Sequence, residues 1–164
     1  MDKFTLAATS FIIAISLIIT GKKDKLQASF ICLCFAVFVS QVGAFSRELF
    51  PSAFWGKIQY LGVLAIAPCA LWFFRHLTHN KSILSKGFIV FSILTSSLGA
   101  LFLFTPLSRW SHFYSLLLSY TFATLALCYI ALARYINKLL PSVEKKRLGY
   151  LVFACPIALI LSSV

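Results

Sequence analysis

The sequence predicts an all-α fold: a polytopic membrane bundle of six transmembrane helices with its N-terminus outside. Two observations carry this. Six apolar stretches, each near the ~20 residues a helix needs to cross ~30 Å of hydrocarbon, fill the 164-residue chain. Lysines and arginines gather in every second gap between them. Composition agrees: at 60% hydrophobic and 12% charged, a soluble domain of this size could not hide its apolar surface from water. A membrane barrel is excluded, because its ~10-residue strands would alternate, and these runs are apolar all round.

The spans fall at about 4–20, 28–45, 58–75, 87–105, 113–133 and 148–164, and none contains an acidic residue. Lys57, Arg75 and Arg134 sit at span edges, where long side chains reach the headgroups. The first span is not a signal peptide: its head carries both Asp2 and Lys3, and its basic cluster follows the apolar run.

Orientation follows from the basic residues. Lys22, Lys23 and Lys25 follow span one, and Arg75, Lys81 and Lys86 follow span three. Arg134, Lys138, Lys145, Lys146 and Arg147 follow span five. Only Lys3, Arg47, Lys57 and Arg109 of the fifteen basic residues lie on the other side. The first, third and fifth gaps are therefore expected in the cytoplasm. The net charge of +11 is then a positive-inside bias, not a nucleic-acid surface, since it is dispersed over short loops. Phe54, Trp55, Tyr60 and Trp110 would mark the outer boundary, and Trp72, Tyr135 and Tyr150 the inner one.

The longest loops are expected around Ser46–Gly56 outside and Arg134–Arg147 inside. Residues Arg47 to Pro51 read as a turn beside an interfacial segment. Pro141 ends the fifth helix, and Ser142 caps a short turn into Glu144–Arg147. Without linker or repeat, residues 1–164 read as a single transmembrane domain. Small residues should form the helix contacts: Ser92, Ser96 and Ala100 in span four, Ser119 and Ala123 in span five. The five cysteines, Cys32, Cys34, Cys69, Cys128 and Cys155, all lie within spans and read as packing residues.

Catalytic chemistry is not expected. Asp2, Asp24, Glu48 and Glu144 all flank the spans, so no carboxylate lies at membrane depth for proton coupling, acid–base work or magnesium. His76 and His79 share a helical face but have no thiol or carboxylate beside them, and they read as a polar cap. His112 has no nucleophile nearby in sequence, and no protease or hydrolase motif occurs. The chain is read as no enzyme, without metal or cofactor.

The polar content at depth is uncharged. Gln41, Gln59, Tyr60 and Tyr120 are the candidate ligand-binding residues of an outer-leaflet pocket for a small or lipidic ligand. The competing reading of the same side chains is interhelical hydrogen bonding. Pro68 and Pro156 kink their helices and open space between them.

The run Trp55-Gly56-Lys57-Ile58-Gln59-Tyr60-Leu61-Gly62, followed by Pro68 and Trp72-Phe73-Phe74, resembles the third helix of the seven-helix N-terminal sensor region of bacterial histidine kinases. Glu144–Arg147 leading into an apolar helix with Pro156 is similar to that family's approach to its sixth helix. The resemblance implies a multi-pass sensor of the bacterial inner membrane, part of a two-component system. It would detect a ligand or the membrane state and pass a helix shift to a cytoplasmic output module. A seventh helix and the output domain are absent here, since six spans leave Val164 outside. The expected partners are the lipid bilayer, a small-molecule or lipid ligand, a cytoplasmic signalling domain or membrane protein, and a second copy in a homodimer, with no nucleic acid. The alternative is a non-enzymatic assembly or carrier subunit for lipid or a small solute.

Overall fold

The computed structural model describes residues 3–20, 24–78, 86–106 and 112–138. Among them the chain forms five helices: α1 (Lys3–Thr20), α2 (Lys25–Leu49), α3 (Ala53–Thr78), α4 (Lys86–Leu103) and α5 (Phe113–Lys138). Helices α2 to α5 are each long and apolar enough to cross a membrane. The apolar part of α1, Lys3–Ile19, is shorter. The expected sixth span, with Tyr150, Cys155 and Pro156, lies outside the described residues, as do Trp110, Pro141 and Ser142.

Helices α2, α3 and α5 outrun their predicted spans. Helix α2 runs to Leu49 and α3 begins at Ala53, so the expected outer loop shrinks to Phe50, Pro51 and Ser52. Residues Arg47 to Leu49, read as a turn, are helical. An apolar window ends where hydrocarbon ends, but backbone hydrogen bonding continues into the headgroup layer. Arg47, in the last turn of α2, complements the negative end of the helix dipole. Pro51, which has no N–H to give a helix, marks the break. Helix α5 likewise continues five residues past its predicted end, to Lys138.

The distribution of side chains inverts that of a soluble protein. Ile19, Leu101, Phe91 and Phe122 are more than half exposed. Ser29, Ser40, Thr78, Ser92, Ser96, Thr121 and Thr124 are buried. Hydroxyls inside and large aliphatic or aromatic chains outside fit a bundle whose solvent is lipid. The chain is on these grounds a membrane protein. Many hydroxyls fold back on their own helix: Thr9 and Ser10 donate to the Thr5 and Leu6 carbonyls, each at 2.8 Å, and buried Thr78 to the Phe74 carbonyl, also at 2.8 Å.

Helix α3 is the hub. It packs against α2, α4 and α5, while α1 packs on α2. The α2–α3 pair is antiparallel and very close, with Gly43 against Gln59 and Gly62 against Ser40. On its other side α3 meets α5 through Ala70, Leu71, Cys128 and Ala131. Nearer the α2–α3 turn, Leu64, Leu103, Phe113 and Leu117 form a second cluster.

The small-residue expectation holds in α4, where Ser92 and Ser96 are buried, and fails in α5, where Ser119 and Ala123 are exposed. The inward face of α5 is instead Leu117, Thr121, Thr124, Cys128 and Ala131, spaced three or four apart. Size alone could not choose between the two faces. Three of the four described cysteines pack as expected, with Cys34 and Cys128 buried and Cys69 partly so; Cys32 is exposed instead, and all four are free.

Candidate functional site

Beside the three-residue turn between α2 and α3 lies a cleft of about 380 Å³, lined by Arg47, Pro51, Ser52, Ala53, Gly56, Tyr60 and Tyr114. Each wall has a local cause. The break at Pro51 lets α3 start afresh at Ala53, which brings the first turn of α3 beside the last turn of α2. Gly56 leaves its part of the wall bare: a Cβ there would meet only the Arg47 Cδ, at 4.0 Å. Tyr60 from α3 and Tyr114 from α5 close the floor with ring centroids 4.3 Å apart and an interplanar angle of 33°. Both rings rest on the Leu64 cluster.

Charge around the cleft is one-sided. Arg47 is its sole charged lining residue among the described residues. The adjacent carboxylate, Glu48, is paired with Lys3 of α1, the one ion pair among the described residues. Lys57 lies over the Phe104 ring, 5.3 Å from the centroid.

A second polar assembly sits at the middle of α3. Pro68 has no N–H, so the carbonyl four residues earlier, on Leu64, loses its helical donor. Ser96 of α4 supplies one: its Oγ donates to the Leu64 carbonyl at 3.0 Å, and both residues are buried. Tyr120 of α5 lies next to it, with its hydroxyl 3.5 Å from the Ser96 Oγ. That hydroxyl donates to the Ser92 carbonyl at 3.1 Å, which leaves its oxygen to accept from the Ser92 Oγ at 2.6 Å. Thr121 stands 3.5 Å from the Val63 carbonyl while bonding its own helix at Leu117, 3.1 Å away. Leu64 joins the two assemblies. Its side chain belongs to the cluster on which Tyr60 and Tyr114 pack, and its carbonyl takes the bond from Ser96.

The four residues expected to share a pocket are therefore spread out. Tyr60 lines the cleft. Tyr120 belongs to the hydroxyl network. The Gln59 backbone forms the contact with Gly43, and Gln41 is half-buried on α2. Residues missed by sequence reasoning are Arg47 and Tyr114 in the cleft, and the donor role of Ser96. Ser96 had a findable signal: a mid-span proline demands a hydroxyl donor for its freed carbonyl. Arg47 and Tyr114 had none, because they are 67 positions apart.

At the far end of α3, His76 Nδ1 donates to the Trp72 carbonyl at 2.9 Å and acts as a polar cap. His79 lies outside the described residues. The neighbouring Arg75 Nη1 is buried with no hydrogen-bond partner among the described residues. Nor do any three His, Cys, Asp or Glu side chains there come together to hold a metal. Comparison with family models, with curated proteins and with solved structures finds no match.

Proposed function

We propose that this chain is the sensory domain of a signal-transducing membrane protein, in which α3 carries a ligand-dependent shift between the two ends of the bundle. One observation carries the reading: the Leu64 carbonyl freed by Pro68 is held by a hydroxyl from another helix. A helix interrupted in this way has two packings close in energy, one with the Ser96 bond and one without it. The cleft at one end adjoins that point, because Tyr60 and Tyr114 pack on the cluster that contains Leu64. At the other end the Arg75 Nη1 is buried without a hydrogen-bond partner among the described residues, and in this reading it faces the output side. A ligand that fits only one packing of Tyr60 and Tyr114 shifts the population. No bond-making chemistry is required, so catalysis belongs to the output partner.

Fluorine NMR of the purified chain labelled with fluorotryptophan tests this, because Trp55 and Trp72 lie on α3 on either side of Pro68. Trp72 is expected to show two resonances whose ratio changes in Tyr120→Phe, since that variant cannot donate to the Ser92 carbonyl. A single Trp72 line, unmoved by the substitution, refutes the two-packing reading.

In this proposal the chain spans the bacterial inner membrane six times, counting α1 and residues 148–164, with its N-terminus outside and the cleft at the outer face. Alkaline phosphatase fused after Ser52 should then be active, and fusions after Lys23 or Lys81 inactive. The reverse pattern inverts the orientation and moves the cleft to the cytoplasm.

The assembly or carrier alternative drew on the lack of an output module and on the small-residue stripes Ser92, Ser96 and Ala100 in α4 and Ser119 and Ala123 in α5. Ser92 and Ser96 are both engaged within the bundle, so the α4 stripe offers a partner little to hold, whereas Ser119 and Ala123 of α5 are exposed.

A further inference from the structure

We propose that the cleft beside the α2–α3 turn binds an anion, a carboxylate or phosphate attached to a short apolar body. This deepens the sensor reading and rests on it for the choice of site, but the ligand class follows from the cleft itself. The polar side of the lining is cationic or donating. Arg47 presents a guanidinium suited to a carboxylate or phosphate, and Ser52 adds a hydroxyl. The α3 backbone that starts at Ala53 adds N–H groups without helical partners. Among the described residues no carboxylate lines the cleft, and Glu48, which could have neutralised Arg47, is bound to Lys3. The rest of the lining is largely apolar: Pro51, Ala53 and the rings of Tyr60 and Tyr114. A bare inorganic anion would leave those rings uncovered, and a neutral apolar ligand would leave Arg47 unanswered. About 380 Å³ is at the small end of the range for ligand sites, ~300–1,000 Å³. That space suits a short-chain organic anion or the headgroup of an anionic lipid.

The test uses the purified full chain in zwitterionic micelles and follows the thermal unfolding midpoint and calorimetric titration. The probes are hexanoate, inorganic phosphate, and vesicles of phosphatidylglycerol compared with phosphatidylcholine. Two variants separate charge from space. Arg47→Gln removes the cation at an exposed position. Gly56→Leu fills the cleft from a position where the structure leaves room for a side chain. Hexanoate or phosphatidylglycerol is expected to raise the wild-type midpoint, with binding about tenfold weaker in Arg47→Gln and lost in Gly56→Leu. Stabilisation by phosphatidylglycerol alone identifies a lipid headgroup, and by hexanoate a free organic anion. Saturation by inorganic phosphate as tightly as by either overturns the apolar half of the proposal. Absence of binding by every probe, or equal binding by wild type and both variants, overturns it entirely. Binding that leaves the Trp72 resonances unchanged preserves the ligand assignment and refutes the sensor reading, so the two fail separately.

Discussion

Gly62→Ala will break the α2–α3 pair. A Cβ at Gly62 would sit 2.6 Å from the Ser40 Cα and 2.8 Å from its Cβ. The obstruction is mainly backbone, so no rotamer change relieves it, and the helices must part. Separation removes the close contact that holds a helix pair together in lipid, where no hydrophobic drive opposes parting. Overpacking of this kind costs ~1–3 kcal/mol, and the rigid partner puts Gly62→Ala at the upper end. Gly43→Ala should behave alike, since its Cβ would lie 2.7 Å from the Gln59 Cα. Gly56→Ala is the control, because a Cβ there meets only the Arg47 Cδ at 4.0 Å. Denaturant titration of the three variants in micelles, followed by circular dichroism, measures the difference. Equal midpoints for Gly62→Ala and Gly56→Ala would contradict the crossing geometry.

The second large effect is conditional. Ser96→Ala removes the donor to the Leu64 carbonyl in a buried site. An orphaned buried acceptor costs ~1–3 kcal/mol in soluble proteins, whereas interhelical hydrogen bonds in membranes average ~0.6 kcal/mol. A loss of about 1 kcal/mol is expected, because Pro68 leaves this carbonyl no helical N–H to fall back on. Pro68→Ala restores that N–H. In the Pro68→Ala background, Ser96→Ala should therefore cost almost nothing, and the coupling in the double-mutant cycle should equal most of the single-variant loss. Additive effects would mean that Ser96 contributes by packing, and would remove the physical basis for two packings of α3.

How much of this was legible in the sequence depends on the range of each interaction. Helices α1 to α5 were legible, because a helix is closed by bonds between residues four apart and its membrane length is set by a local apolar run. Their ends were less so: Arg47 to Leu49 belong to a helix although hydropathy stops before them. The inward placement of Ser92 and Ser96 was anticipated, yet the same rule chose the wrong face of α5. Of the expected pocket, Tyr60 lines the cleft, while Tyr120 is committed to Ser92.

By itself the sequence determined that this chain is a helical membrane protein, that α3 carries a proline in its middle, and that its chemistry at depth is uncharged. Each of these is a property of one segment and its solvent. Only the tertiary structure decided that Ser96 answers Pro68 across 32 positions from Leu64, that Glu48 is taken by Lys3, and that Arg47 shares a cleft with Tyr60 and Tyr114. Those pairings depend on the rotation and register of whole helices. Here the close contacts of Gly43 with Gln59 and of Gly62 with Ser40 set both for α2 and α3. A rotation of one residue, ~100°, would bring different side chains together from the same helices.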